Sequence, residues 1–297
     1  MLYERQKHLL ALLNVLGGEV GGLDFQKLLL LYCLEVEESP SYEFVPYKFG
    51  GFSFTSYADK RCLIGKGFLA DEDRVWKSTP AGKIVPIAVP LLTAMNRFAK
   101  RHAGLRGDAL VAEAYRRHPY YAIRSEIAEQ LLAGDKTSLK AIAAACPSKC
   151  SPGLCTIGYE GRTLEGFLNA LTQDDVTVLC DVRQNPISRK YGFSKNTLQK
   201  NCEGVGIRYE HLPELGIASE NRRELKTRKD YDALFYAYTY ESLPKQLNVL
   251  KKIMSWIKKG ERVALTCYER LPEECHRTCV AKELERRFGR VCTPKDL

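Results

Sequence analysis

Leu9, Leu10, Leu12, Leu13 and Leu16 recur at helical spacing and are followed by Gly17-Gly18, a pattern that predicts a first helix stopping at the glycines. Asp24 is the expected N-cap of a second helix, running through Phe25, Leu28, Leu29, Tyr32 and Cys33 to about Glu38, since Pro40 forbids continuation. An aromatic loop follows, from Tyr42 to Tyr57. Ser56 then caps a third helix through Ala58, Leu63 and Ile64, which Gly65 and Gly67 end. Phe68-Leu69, the acidic turn Asp71-Glu72-Asp73 and Val75-Trp76-Lys77 read as a short hairpin. Two or three further helices are expected, over 90–103, 108–117 and 123–132.

Between Cys146 and Gly153 the periodicity dissolves into Pro, Ser and Gly, which is linker composition. Beyond it strands and helices alternate: strands over 154–158, 176–182, 207–212 and 263–267, and helices after Thr163, over 194–202, 230–240 and 243–259, and from about Cys275 to Phe288. That alternation predicts an α/β domain, a mainly parallel Rossmann-like sheet with helices on both faces. The expected organisation is a winged-helix-like, mostly helical domain over 1–85, a helical connector and linker over 86–152, and the α/β domain over 153–297.

Composition narrows the function class. The longest apolar run, Leu28 to Leu34, falls far short of the ~20 residues of a membrane span, and charges at Glu4, Arg5 and Lys7 argue against a signal peptide. No membrane partner is therefore expected. Eleven cysteines, an odd number in a chain of 297 residues, fit reduced cytoplasmic thiols better than a disulfide scaffold. The net charge of +9 divides evenly, with 20 Lys/Arg against 16 Asp/Glu in residues 1–150 and 25 against 20 in 151–297, and permits an acidic partner without demanding one.

Helices followed by a two-stranded wing outline a winged helix, which reads DNA with one helix in the major groove. Residues 5–85, through Phe25-Gln26-Lys27-Leu28-Leu29 and Pro46-Tyr47-Lys48-Phe49-Gly50, loosely resemble the Panacea type of antitoxin domain. Lys60, Arg61 and Lys66 would face nucleic acid, but the acidic wing turn would repel phosphate. A module that packs on a partner or on the rest of the chain is the competing reading.

In parallel sheets ligands lie outside the carboxyl ends of the strands, and here each strand ends in a polar motif. These are Gly158-Tyr159-Glu160-Gly161-Arg162; Asp181-Val182-Arg183 with Asn185-Pro186; His211-Leu212-Pro213-Glu214-Leu215-Gly216; and Cys267-Tyr268-Glu269 with Cys275-His276-Arg277. Together with Thr156-Ile157, Ser188-Arg189-Lys190 and Gly192-Phe193-Ser194, they resemble, in order and over 154–290, the blocks of the domain-of-unknown-function family 488. The resemblance implies a fold and a residue set but no reaction.

The chemistry has to come from the residues. Arg162, Arg183, Arg189 and Arg277 are candidate anion ligands beside a helix start, although Asp181, Glu160, Glu214 and Glu269 offer an ion-pair network as the competing explanation. Glu160, Asp181, Cys275 and His276 are the candidate catalytic groups, with Tyr159, His211, Glu214, Cys267, Tyr268 and Glu269 in support. A cysteine in a helix's first turn beside His276 and Arg277 is biased toward thiolate, against the push of Glu273 and Glu274. Cys275 is also readable as a buried structural thiol. Last in order comes a zinc ligand with Cys267, His276 and Cys279, because the spacing is not a standard one; no metal or other cofactor is assigned.

Tyr159, Tyr191, Tyr209 and Tyr268 are flat surfaces on which a base stacks, or ordinary half-buried strand ends. Arg222, Arg223, Lys226, Arg228 and Lys229 form the strongest basic run, either tracking a nucleic-acid backbone or lying solvated. The expected partners are thus DNA or RNA and a small phosphorylated ligand. The leading function is an enzyme acting on a nucleotide or nucleic acid. The alternative is a DNA-binding, antitoxin-like regulator whose α/β domain senses a small anion.

Overall fold

A computed structural model describes residues 1–222 and 227–297, and the chain divides into two compact units, Met1–Cys146 and Pro147–Leu297. The first contains α1 (Glu4–Val15), β1 (Glu19–Gly21), α2 (Gly22–Glu35), β2 (Val45–Tyr47), β3 (Gly50–Phe52), α3 (Phe54–Gly65), β4 (Val75–Lys77), the short α4 (Pro80–Lys83), α5 (Val89–Arg101), α6 (Gly107–Arg117), the single turn α7 (Ala128–Leu131) and α8 (Lys136–Ala145). Its core gathers Leu9, Leu10, Leu12 and Leu13 of α1 with Phe25 and Leu28–Leu31 of α2, Trp76 of β4, and Met95 and Phe98 of α5. Helices α5 and α6 therefore pack on α1 and α2 within the same unit.

Several local expectations shift. The third helix is capped by Ser53 instead of Ser56, the Ser53 hydroxyl accepting the Ser56 N–H at 3.2 Å. Asp24 lies in the first turn of α2, and its carboxylate accepts the Gly107 N–H at 2.8 Å. The expected hairpin survives as an antiparallel bridge between Leu69 and Ser78, while β4 pairs along its length with β1. Residues 45–52, read as loop, form the antiparallel hairpin β2–β3. The stretch expected to be helical over 123–132 contains only α7.

The second unit contains β5 (Gly153–Gly158), α9 (Leu164–Gln173), β6 (Val178–Asp181), α10 (Lys195–Gly204), β7 (Arg208–His211), α11 (Arg228–Ala237), α12 (Leu247–Lys258), β8 (Arg262–Cys267), α13 (His276–Phe288) and β9 (Lys295–Asp296). Its five strands form one sheet in the order β7-β6-β8-β5-β9, every pairing parallel. Leu154, Val178, Cys180, Val263 and Leu265 pack against Leu250 and Ile253 of α12 and Val280 and Leu284 of α13. Their alternates Cys155, Ile157, Leu179 and Ala264 are also buried, as are Phe167, Leu168 and Leu171 of α9. Both faces are thus covered, which is why the strands read as continuous apolar runs. Among the described residues no helix is long and apolar enough to cross a membrane.

At the amino end of the sheet Asp174 fastens the strands. Its carboxylate accepts Arg262 Nη2 at 2.6 Å and the Cys155 thiol at 3.1 Å, and it pairs with Lys295. This cluster leaves the carboxyl edge as the place for the polar motifs.

Candidate functional site

The parallel register sets the strand ends side by side: Asp181 lies opposite His211 on one flank and Thr266 on the other, and Gly158 lies opposite Cys267. The motifs after these strands close onto one another through backbone contacts. A Cβ on Gly158 would lie 1.9 Å from the Glu269 carbonyl oxygen, and one on Gly216 2.1 Å from the Gln184 nitrogen. Glycine is required at both points because another loop's main chain occupies the space a side chain would take.

Asp181, fully buried, is the centre of this edge. Its carboxylate accepts Arg183 Nε at 2.8 Å and Nη2 at 2.5 Å, the Arg183 backbone N–H at 3.1 Å and the Tyr209 hydroxyl at 2.7 Å. Arg183 also donates to the Tyr159 hydroxyl at 2.9 Å and the Phe193 carbonyl at 3.0 Å, with its guanidinium 5.0 Å from the centre of the Tyr159 ring. Burial disfavours the Arg183 charge, but the Asp181 carboxylate outweighs it and holds the guanidinium above its ordinary pKa. Burial, followed by the Asp181 charge, pushes the Tyr209 hydroxyl up. With its oxygens occupied this way, Asp181 holds the Arg183 guanidinium in place.

A cavity of about 380 Å³ opens beside this pair, lined by Tyr159, Arg183, Gln184, Asn185, Ile187, Ser188, Arg189, Ile217, Cys267, Tyr268 and Glu269. Arg189 is exposed and has no hydrogen-bond or ion-pair partner among the described residues. Tyr268, 46% exposed, is the open aromatic surface, edge-on to Tyr159, which stacks on Phe193. The neighbouring Glu160 charge raises the Tyr268 pKa. Lys190 donates to the Tyr159 carbonyl at 3.0 Å, and its partial burial lowers its pKa.

The other expected ligands and catalytic groups fall elsewhere. Arg277, fully buried, donates to the carbonyls of Glu269 at 2.5 Å and Arg270 at 3.0 Å, so it braces the loop after β8. Arg162 donates to the Leu297 carbonyl at 2.6 Å. Neither lines the cavity. The Glu160 carboxylate accepts the Arg270 N–H at 3.0 Å. His211 donates through Nε2 to the Arg183 carbonyl at 2.8 Å, fixing the loop after β6. Glu214 is exposed on a single helical turn after β7 and does not line the cavity.

Cys275 is the N-cap of α13, so it precedes the first turn. Its thiol is buried, and burial pushes its pKa up, against the bias toward thiolate expected from a helix start. His276, also buried, donates through Nε2 to the Val182 carbonyl at 3.0 Å and turns Nδ1 toward Cys267 Sγ at 3.7 Å. The sulfurs of Cys267 and Cys275 and a ring nitrogen of His276 lie within 4.8 Å of one another. Cys279 stays outside this group, partly buried.

The residues expected to contact nucleic acid are spread over both units, and three of them are not fully described. Lys60 is buried and donates to the carbonyls of Glu72 and Val75 at 2.8 Å each and Asp73 at 3.3 Å. Those carbonyls belong to the turn beside it, so the ammonium is engaged within the fold. Arg61 is exposed. Arg228 pairs with Asp232 at 3.1 Å on α11 and Lys229 is exposed beside it. Arg222 ends a short helical turn, and Arg223 and Lys226 lie outside the described residues.

Residues 163–284 match the family described as Domain of unknown function DUF488. The DUF488 match runs from the N-cap of α9 into α13 and takes in Asp181, Arg183, Arg189, Cys267, Cys275 and Arg277. It begins just after the Gly158 to Arg162 loop, which packs on the matched segment through Glu160 and Gly158. No curated protein and no solved structure matches the chain. Tyr209 as a partner of Asp181 and Ile217 as a cavity wall are additions that the structure makes to the site. Tyr209 carried a signal, an aromatic residue alternating with Arg208 and Glu210 along a strand, whereas Ile217 carried none.

Proposed function

We propose that the second unit binds a phosphorylated ligand, a nucleotide or the end of a nucleic acid, in the cavity at the carboxyl edge, and acts on it as an enzyme. The observation that carries this reading is Arg189, a guanidinium without a partner among the described residues, lining the same cavity as the fixed Arg183 and the open Tyr268 ring. A guanidinium matches the geometry of phosphate oxygens, and an exposed aromatic ring accepts a base. Location at the carboxyl ends of parallel strands supports the same reading.

The experiment compares wild type with Arg189→Ala, using nucleoside triphosphates, 5′-phosphorylated oligonucleotides and inorganic phosphate as probes. Loss of a charge-assisted hydrogen bond, worth about 1.5–3 kcal/mol, weakens binding roughly tenfold or more. Equal binding by the two proteins overturns the reading. Product analysis by mass spectrometry separates an enzyme from the regulator alternative, in which the winged-helix reading of residues 5–85 supplies DNA binding and the bound ligand is recovered unchanged. Salt distinguishes the ligand classes. A duplex held by several phosphates loses affinity with a log–log slope of about −0.9 for each.

A further inference from the structure

We propose that Cys267, Cys275 and His276 form a site for one zinc-class divalent ion at the carboxyl edge. Three features carry it. The two sulfurs and the imidazole nitrogen converge within 4.8 Å, although they come from the end of β8 and the start of α13. The Sγ–Nδ1 separation of 3.7 Å for Cys267 and His276 is near the ~3.5 Å expected for ligands about 2.3 and 2.0 Å from a shared tetrahedral zinc. His276 is also oriented as a ligand requires: Nε2 donates to the Val182 carbonyl at 3.0 Å, so the proton sits there and the Nδ1 lone pair faces the thiols.

Two sulfurs and an imidazole select a borderline-soft ion over magnesium or calcium, which take oxygen ligands. Cys267 and Glu269 line the open cavity, with a Glu269 carboxylate oxygen 3.3 Å from Cys267 Sγ. An ion among the three therefore borders the cavity and has the Glu269 carboxylate or a solvent oxygen as its fourth ligand. Binding replaces the two thiol protons, which leave to solvent, with two sulfur–metal bonds. The site goes beyond the phosphate reading, and its test uses no phosphorylated probe, so the two fail separately.

The test begins with the full-length wild-type chain, because the ligands are also core residues. Mass spectrometry of elements should find about one zinc per chain. Exchange for Co²⁺ should give an intense near-ultraviolet sulfur-to-cobalt band together with visible bands of tetrahedral strength. Cys267→Ser and Cys275→Ser, checked for folding by circular dichroism, should each lose the metal or weaken the sulfur band, while Cys279→Ser should retain both. A folded wild type with neither zinc nor a cobalt sulfur band overturns the proposal. So does a Cys267–Cys275 disulfide that persists in reductant, or a folded Cys267→Ser in which zinc content and the cobalt sulfur band are both unchanged.

Discussion

The Asp181 carboxylate closes on Arg183 through a two-pronged ion pair, Nε at 2.8 Å and Nη2 at 2.5 Å, in which both side chains are buried. The pair spans only the end of β6, yet it joins distant pieces of chain: Tyr209 of β7 donates to the carboxylate, and Tyr159 and Phe193 accept from the guanidinium. Removing one partner leaves the other charge buried and uncompensated, which costs about 3–5 kcal/mol. Asp181→Asn should therefore lower the unfolding free energy by that amount. Tyr209→Phe, which removes one hydrogen bond, should cost about 1 kcal/mol. Urea titrations of both variants check this, and equal small losses would show that the pair is not what organises the edge.

Two arginines that look alike in sequence should behave oppositely. Arg277 is buried and ties the carbonyls of Glu269 and Arg270, whereas Arg189 is exposed in the cavity wall. Arg277→Met strands those carbonyls and loosens the loop after β8, so a stability loss of about 1–3 kcal/mol is expected. Arg189→Ala should leave stability within about 0.5 kcal/mol, the usual range for surface changes. Measuring melting and phosphate binding on both variants tests the contrast. A stable Arg277→Met together with a destabilised Arg189→Ala would reverse the assignment of roles.

The sheet was legible because its strands are covered on both faces: Leu154 to Ile157 and Val263 to Cys267 are apolar runs ended by polar motifs. What escaped depends on distant partners. Strand β9, the polar pair Lys295–Asp296, has no hydrophobic signature and exists because β5 offers it an edge. Helix α8 is so rich in alanine that its apolar stripe, with Ile142 its buried residue, hardly contrasts with the rest. In the candidate site the strand-end motifs were visible as residue types, but not which charges are closed. Arg183 and Arg277 read alike as anion ligands, and only the placement of Asp181 and of the Glu269 and Arg270 carbonyls distinguishes them from Arg189.

The close approach of the loops at Gly158 gives a separate prediction. Gly158→Ala puts a methyl group 1.9 Å from the Glu269 carbonyl oxygen, and main chain has no rotamer by which to yield. The loop after β8 must shift, at a cost of roughly 1–3 kcal/mol, and Glu269 and Tyr268 shift with it. Gly65→Ala at the end of α3 meets nothing within 4 Å and should be neutral or slightly stabilising, since alanine favours helix. Paired thermal melts decide this, and equal melting temperatures for the two variants would show that the backbone contact does not constrain the loop.

The buried lysine of the first unit gives a pH dependence with a definite sign. Lys27 of α2 donates to the Gly51 carbonyl at 2.9 Å, and burial pushes its pKa down to about 7. An unfolded chain keeps that ammonium protonated up to about pH 10.4. Between these values the unfolded state holds more protons, so the Lys27 contribution to stability rises with pH, by at most about 1.4 kcal/mol per pH unit. It is fully present above the unfolded pKa and lost as pH falls through the folded one. Lys27→Met removes the dependence, so the stability difference between variant and wild type should be largest at pH 7 and shrink steadily toward pH 10. Groups common to both proteins cancel in that difference. Urea titrations in a Trp256→Phe background leave Trp76, packed at 4.6 Å between ring centres on Phe25 of the same helix as Lys27, as the single indole reporting on this unit. Parallel stability profiles for the two proteins across this range would mean that Lys27 stays charged in the fold, with the Gly51 carbonyl and local relaxation compensating its burial.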